Sequence, residues 1–413
     1  MSHRRRTVWG PLLAALTFGC LDPRVGPYTG LVIEVRPAFQ DQIITASVGS
    51  LLPLTCRVLG DGREVESDIS VTSARGVVSG STCSTLVVER SGLDTLRFEA
   101  DSAVTTLPIA VAVPPVVGSP LGDSLLVDSL PPGEPWAPTL RRNSHGRLEL
   151  YFASLVTNSG SSDYEDLHRL VSDDSLHFRY DGVVLQHDPN VCSLTGSGFE
   201  DLAIVPRQEA SGWRMFVAGG SFSCYDWQIF SATSTDERTW TLEPGVRVGN
   251  ESDSAMTHPF ATGEGIVIDA LPSGGWRMVT GAYGRVPSEE GRFQILEWDS
   301  PDQLTWTYVR SVLTTLQMPA GVQGNVYCPT IREFAPGLWR MVFTADDGGE
   351  PERRSSLWSA VSVDQRTWQV EGLLMGSSTT SFFYSTIEAG RLVFIRKDDG
   401  APRRLGTTTI AMP

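Results

Sequence analysis

Two acids and two aromatic residues stand at one recurring offset in this sequence, and a third aromatic matches them by local sequence. Asp201, Glu264 and Tyr327 each lie twelve residues before a strand-like run: WRMFVAG from Trp213, WRMVTGA from Trp276 and WRMVFTA from Trp339. Trp136 holds the same place before LELYFAS, which starts at Leu148, and matching FYSTI to YCPTI adds Phe383. Carboxyls paired on neighbouring units do general acid/base or nucleophilic work at glycosidic bonds, and aromatic faces stack on sugar rings. In a strand, a slip of one residue turns a side chain to the opposite face, which makes Glu200 the substitute for Asp201. Glu134 is the nearest acid on the first unit. Asp253 and His258, in NESDSAMTHPFATG, precede Glu264 and also read as an ordinary surface hydrogen-bond pair. Trp136 and Tyr327 equally suit packing inside a barrel.

The elements that must hold these residues repeat. The pattern S-x-D-x-x-x-aromatic occurs at Ser172/Asp174/Phe178, Ser234/Asp236/Trp240, Ser300/Asp302/Trp306 and Ser362/Asp364/Trp368, its aspartates stepping by 62, 66 and 62 residues. The strand-like runs keep phase with it and end with LVFIRKD at Leu392. Each unit reads as four antiparallel strands, the third closing in the S-x-D turn, which is the plan of a propeller blade. The count is five blades. The last unit has three strands of its own, and GDSLLVDSLPP, between Gly122 and Gly133, is expected to supply its fourth and close the ring. The aspartate of each turn is expected to accept backbone N–H bonds within the turn, and the aromatic to pack between sheets.

The fold class is therefore all-β: a small sandwich followed by a five-bladed propeller closed by an N-terminal strand. Short alternating runs from Leu31 to Val113, with no helical period, give the sandwich over 31–113. Residues 114–121 are a Pro/Gly linker, and 122–413 the propeller. Ahead of these, MSHRRRTVWGPLLAALTFGC has three arginines, a short apolar run and a small residue before Cys20. That is an export signal over 1–19, with 20–30 as a tether, and the apolar run is too short to span a bilayer. In an exported chain the other cysteines default to disulfides, Cys56–Cys83 and Cys192–Cys224, leaving Cys328 as a small buried residue. No Cys/His spacing points to a metal and no cofactor is indicated. The acidic stretch DYEDLH (163–168) reads as a solvated face, where a structural calcium is conceivable but not indicated. A net charge of -15 excludes nucleic acid and anionic lipid surfaces as partners.

Several stretches resemble known families. LTFGC resembles the lipobox of bacterial lipoproteins, with Thr17 in the usual aliphatic place. The resemblance implies lipidation at Cys20 and anchoring in the periplasm or at the cell surface, with the membrane met only through that lipid. VGSLLPLTCRV and GLDTLRFEA are similar to bacterial Ig-like domains. STDERTW resembles the Asp-box of sialidases without its usual glycine. QIFSATSTDERTW and SLWSAVSVDQRTW, each after a WRM-type strand, resemble five-bladed furanosidase-type glycoside hydrolases, the relatives of arabinanases, levansucrase and invertase. That family carries an Asp base or nucleophile on blade one, often as Asp-Pro, a second Asp on blade two and a Glu acid on blade three. Asp201 and Glu264 match the last two. Ala137-Pro138 stands where Asp-Pro would be. Three readings follow: a carbohydrate-binding propeller without standard catalysis, a glycoside hydrolase whose base has moved to Glu134 or Glu200, or an interaction scaffold with an envelope protein partner.

Overall fold

A computed structural model describes residues 31–36, 43–52, 54–118, 126–127, 130–156, 164–174, 177–188, 198–220, 227–249, 262–283, 292–348 and 354–412. Cys20, Cys192, Cys224, Asp253 and His258 fall outside them.

The protein is all-β. The inner strands of the five blades are Glu134–Arg142, Gly198–Pro206, Thr262–Ala270, Asn325–Ala335 and Thr380–Glu388. Each pairs antiparallel with its WRM-type neighbour, such as Gly198–Pro206 with Trp213–Gly220. Between blades the facing sheets bury apolar side chains. Phe216 of blade two, for example, packs with Met278, Trp298 and Trp306 of blade three, its ring meeting Trp306 edge-on at 5.5 Å.

The fourth strand of blade five is Val116–Val117, paired antiparallel with Ala411 and Ile410. A strand from the N-terminal side does close the ring, but it lies within the expected linker rather than within 122–133. From that later stretch, Leu126–Val127 runs parallel to His177–Phe178 on the outer edge of blade one.

The S-x-D turns behave alike. Asp236 Oδ1 accepts N–H bonds from Arg238 and Thr239 at 2.8 and 2.7 Å, and Asp302 and Asp364 do the same in their turns. The N–H groups of Thr239 and then Arg238 hold the Asp236 carboxyl well below its ordinary range. A carboxyl with a depressed folded pKa stabilises the fold above its unfolded value and loses that contribution as pH falls through the folded one. Asp236→Asn is therefore expected to melt below wild type at pH 7. The gap should narrow as the pH drops beneath about 4, the ordinary Asp value, and a gap constant with pH in paired melts would refute this.

The residue after three of these aspartates does a second job. Glu237, Gln303 and Gln365 sit at φ of 56°, 65° and 56° and reach back to an arginine of the preceding blade. Glu237 binds Arg141, Gln303 accepts from Arg214 at 2.8 Å, and Gln365 accepts from Arg277. Blade five has no such turn for the equivalent arginine of blade four, Arg340. That guanidinium instead donates to the Val113 carbonyl at the end of the sandwich, at 2.8 Å, and pairs with buried Glu371.

The N-terminal unit packs a three-stranded sheet and a four-stranded sheet around Ile33, Val58, Val71, Phe98 and Val111. Cys56 and Cys83 are joined as expected, with Cα atoms 6.0 Å apart. Ile43, Ala110 and Ala112 of this unit form an apolar cluster with Leu338 and Val361 of blade four. Among the described residues no helix is long and apolar enough to cross a membrane.

Candidate functional site

Every inner strand breaks register at one level: between Trp136 and Thr139, Glu200 and Leu202, Glu264 and Ile266, Tyr327 and Thr330, and Phe383 and Ser385. The residue that follows the first of each pair has positive φ: Ala137 (44°), Asp201 (34°), Gly265 (71°), Cys328 (51°) and Tyr384 (48°). Four of these five are not glycine, and such conformations persist where the surrounding structure imposes them. A bulge re-aims a side chain. Here it brings two successive residues of each blade to the axis rather than one.

Two levels result. Trp136, Glu200, Glu264, Tyr327 and Phe383 are equivalent, and Ala137, Asp201, Gly265, Cys328 and Tyr384 form the next level. Glu200, not Asp201, is thus the blade-two counterpart of Glu264. The count from Trp213 slips because Pro206 faces Trp213 across a hairpin one residue longer than that joining Arg142 to Leu148 or Ala270 to Trp276.

Both acids nevertheless reach the axis. Single ligand atoms of Asp201, Glu264 and Cys328 all lie within 4.8 Å of one another. Glu264 Oε2 accepts a bond from the Tyr384 hydroxyl and lies 3.6 Å from Cys328 Sγ. The Trp136 indole donates to Glu200, and the Gly265 N–H to Asp201. Glu165, from the third strand of blade one, adds a fourth carboxyl. It is 1% exposed, so this part of DYEDLH is not the solvated face expected of it. Its neighbour Asp166 pairs with His187 at 2.7 Å.

Burial raises the Glu200 carboxyl well above its ordinary range, helped by Glu165, Glu264 and Asp201. Burial and then Glu264 do the same to Asp201, against the Gly265 N–H. The Cys328 thiol and Tyr384 hydroxyl are pushed up by burial and by the same carboxyls. Each further negative charge here is costly in the absence of a cation.

Glu134 stands apart, its carboxylate bound to Arg403 at 3.2 Å. That guanidinium lies 4.0 Å over the Trp136 ring, while Phe383 and Tyr384 tilt against the indole with centroids at 5.3 and 4.5 Å. Below the second level, a cavity of about 140 Å³ runs between the inner strands past Thr139, Ile266, Thr330 and Thr386. It falls short of the roughly 300 Å³ at which ligand pockets begin. Cys328, Tyr384 and Glu165 were not singled out as site residues from sequence. The FYSTI/YCPTI match holds the signal for the first two, since it aligns both positions of each pair.

No family model and no curated protein matches the chain. Among solved structures, a glycoside hydrolase superposes with a TM-score of 0.54 at 13% identity, over 72% of this chain and 92% of its own. BT0996, in a complex with RGII, superposes with a TM-score of 0.53 at 12% identity, over 71% and 92%. Arabinanase Arb43A of Bacillus subtilis aligns at 0.48 and 13% identity, over 70% and 97%. The first two likenesses place the propeller among glycoside-hydrolase-type β-propellers by fold. At these identities fold is all they establish.

Proposed function

We propose that the propeller binds a carbohydrate at the axial level of Trp136, Glu200, Glu264, Tyr327 and Phe383, without the standard hydrolytic step. The observation that carries the reading is Ala137, which presents a methyl group on blade one where the second carboxyl of a hydrolase would stand. The remaining acids are also crowded. Single ligand atoms of Asp201 and Glu264 lie within 4.8 Å of each other, and Glu165 and Glu200 act on the same site.

The test incubates the full chain with arabinan, xylan, fructan and mannoside panels, reading retention and release of reducing ends separately. Retention without release is the expected result. Trp136→Ala should weaken retention about tenfold or more, by removing an aromatic surface and the donor that fixes Glu200. Release that disappears in Asp201→Asn and Glu264→Gln would overturn the non-catalytic reading. It would favour a hydrolase using Glu200, which shares its level with Glu264. Absence of any glycan response, with a protein recovered through the N-terminal unit, would leave the scaffold reading.

We further propose that the chain is exported and lipid-anchored through Cys20, on the strength of the charged, apolar and small-residue order before it. Labelled fatty acid that still enters a Cys20→Ser variant would refute this.

A further inference from the structure

The axial cluster holds a set of donors of which the proposed sugar-binding level uses only Glu264. Asp201, Glu264 and Cys328 come from three successive blades, each at a register break in a rigid strand, and offer one carboxylate oxygen each and a thiol sulfur within 4.8 Å. The Cys328 Sγ–Glu264 Oε2 separation is 3.6 Å. Zinc–sulfur and zinc–oxygen bonds of about 2.3 and 2.0 Å at a tetrahedral angle give an edge of roughly 3.5 Å, so this pair already stands at the spacing of two ligands on one ion.

A second observation concerns Asp201 itself. Asp201 is 4% exposed, and its Oδ2 is buried with no hydrogen-bond partner. A buried carboxylate oxygen without a partner is costly, and such atoms call for an explanation. The groups acting on Asp201 are two further carboxyls and one backbone N–H. A divalent cation would satisfy that oxygen and offset the crowded negative charge together.

We propose that Asp201, Glu264 and Cys328 form a three-ligand site for a borderline-soft divalent cation, of which zinc is the type. The thiolate selects against calcium and magnesium, and three protein ligands leave one position open in a tetrahedral shell. Binding exchanges the thiol proton for the metal–sulfur bond, and the proton leaves to solvent. Tyr384, donating to the same Glu264 carboxylate, orients that ligand from outside the shell. No local Cys/His motif announces the site because its ligands are separated by 63 and 64 residues.

The experiment uses the full chain, stripped with chelator and dialysed against Zn²⁺ or, separately, Ca²⁺, with metal retained per chain as the readout. One equivalent of zinc should be retained by wild type and lost in Cys328→Ser and Asp201→Asn. Tyr384→Phe should weaken it about 10–100-fold. Co²⁺ in place of zinc should give a sulfur-to-cobalt charge-transfer band that is absent from Cys328→Ser. No zinc retention, retention unchanged in Cys328→Ser, or calcium held in preference to zinc would each overturn the proposal. If Cys328→Ser fails to fold, the wild-type cobalt spectrum still decides, since a spectrum lacking the sulfur band refutes a thiolate ligand. Metal retention is read without any glycan, so this result and that of the sugar panel stand or fall separately.

Discussion

Arg340→Ala is expected to lower the unfolding free energy by about 3–5 kcal/mol, the cost of leaving a buried charge without its partner. The Arg340 side chain is 0% exposed and Glu371 is 2% exposed. Two guanidinium nitrogens reach Glu371 at 2.8 and 2.9 Å, and one of them also donates to the Val113 carbonyl. The plane stacks 3.9 Å over Phe334. Truncation would strip Glu371 of this pairing, free the Val113 carbonyl and remove a fastening between the sandwich and blade four. Arg340→Met with Glu371→Leu should recover most of the loss, because apolar replacement of both partners removes the stranded charge. Chemical denaturation of the two variants checks both statements. A single variant costing under about 1 kcal/mol would mean that Glu371 finds water or another donor. Limited proteolysis should show cleavage rising near residues 114–118 in the single variant, if this arginine does for blade five what the S-x-D turns do for the other blades.

How much of this was legible in the sequence depended on whether the signal was local. The S-x-D turns were legible because each closes its own hydrogen bonds within a few residues, so their spacing revealed four blades, and the strand-like run at Leu392 added the fifth. The second duty of Glu237, Gln303 and Gln365 was not, since it is defined only against an arginine of the preceding blade. The FYSTI match located the register break on blade five, and counting back from the strand-like runs located it on blades one, three and four. The count failed on blade two, where one extra hairpin residue is invisible to an offset. The closing strand was misplaced for a related reason: GDSLLVDSLPP alternates well, but pairing at a ring closure is decided by reach across the molecule rather than by pattern. Cys328 and Tyr384 escaped because period-two reasoning admits one axial residue per strand, while the bulge supplies two. Glu165 was hidden in an acidic run whose alternate members face opposite ways.

Gly265→Ala is expected to cost about 3 kcal/mol or more and to disable the axial site with the fold around it. At φ 71° an L side chain is strained, on the order of 1–3 kcal/mol. An added Cβ would also stand 2.5 Å from Cys328 Cα and 2.8 Å from its carbonyl carbon. Those are backbone atoms of a central strand that cannot swing aside as a flexible side chain would, so overpacking adds a comparable sum. Gly274 provides the control. Its φ is 89°, yet nothing lies within 4 Å of an added Cβ, so Gly274→Ala should show the strain alone. The difference between the two variants in denaturant unfolding then measures how tightly blades three and four close on each other. Forcing them apart would move Cys328 away from Glu264 and withdraw the Gly265 N–H from Asp201. Both zinc retention and glycan retention should therefore fall in Gly265→Ala under conditions where it is still folded, while Gly274→Ala keeps both. Equal costs for the two substitutions would mean that the axis is looser than these distances require. The closeness of Asp201, Glu264 and Cys328 would then not be a property the strands enforce.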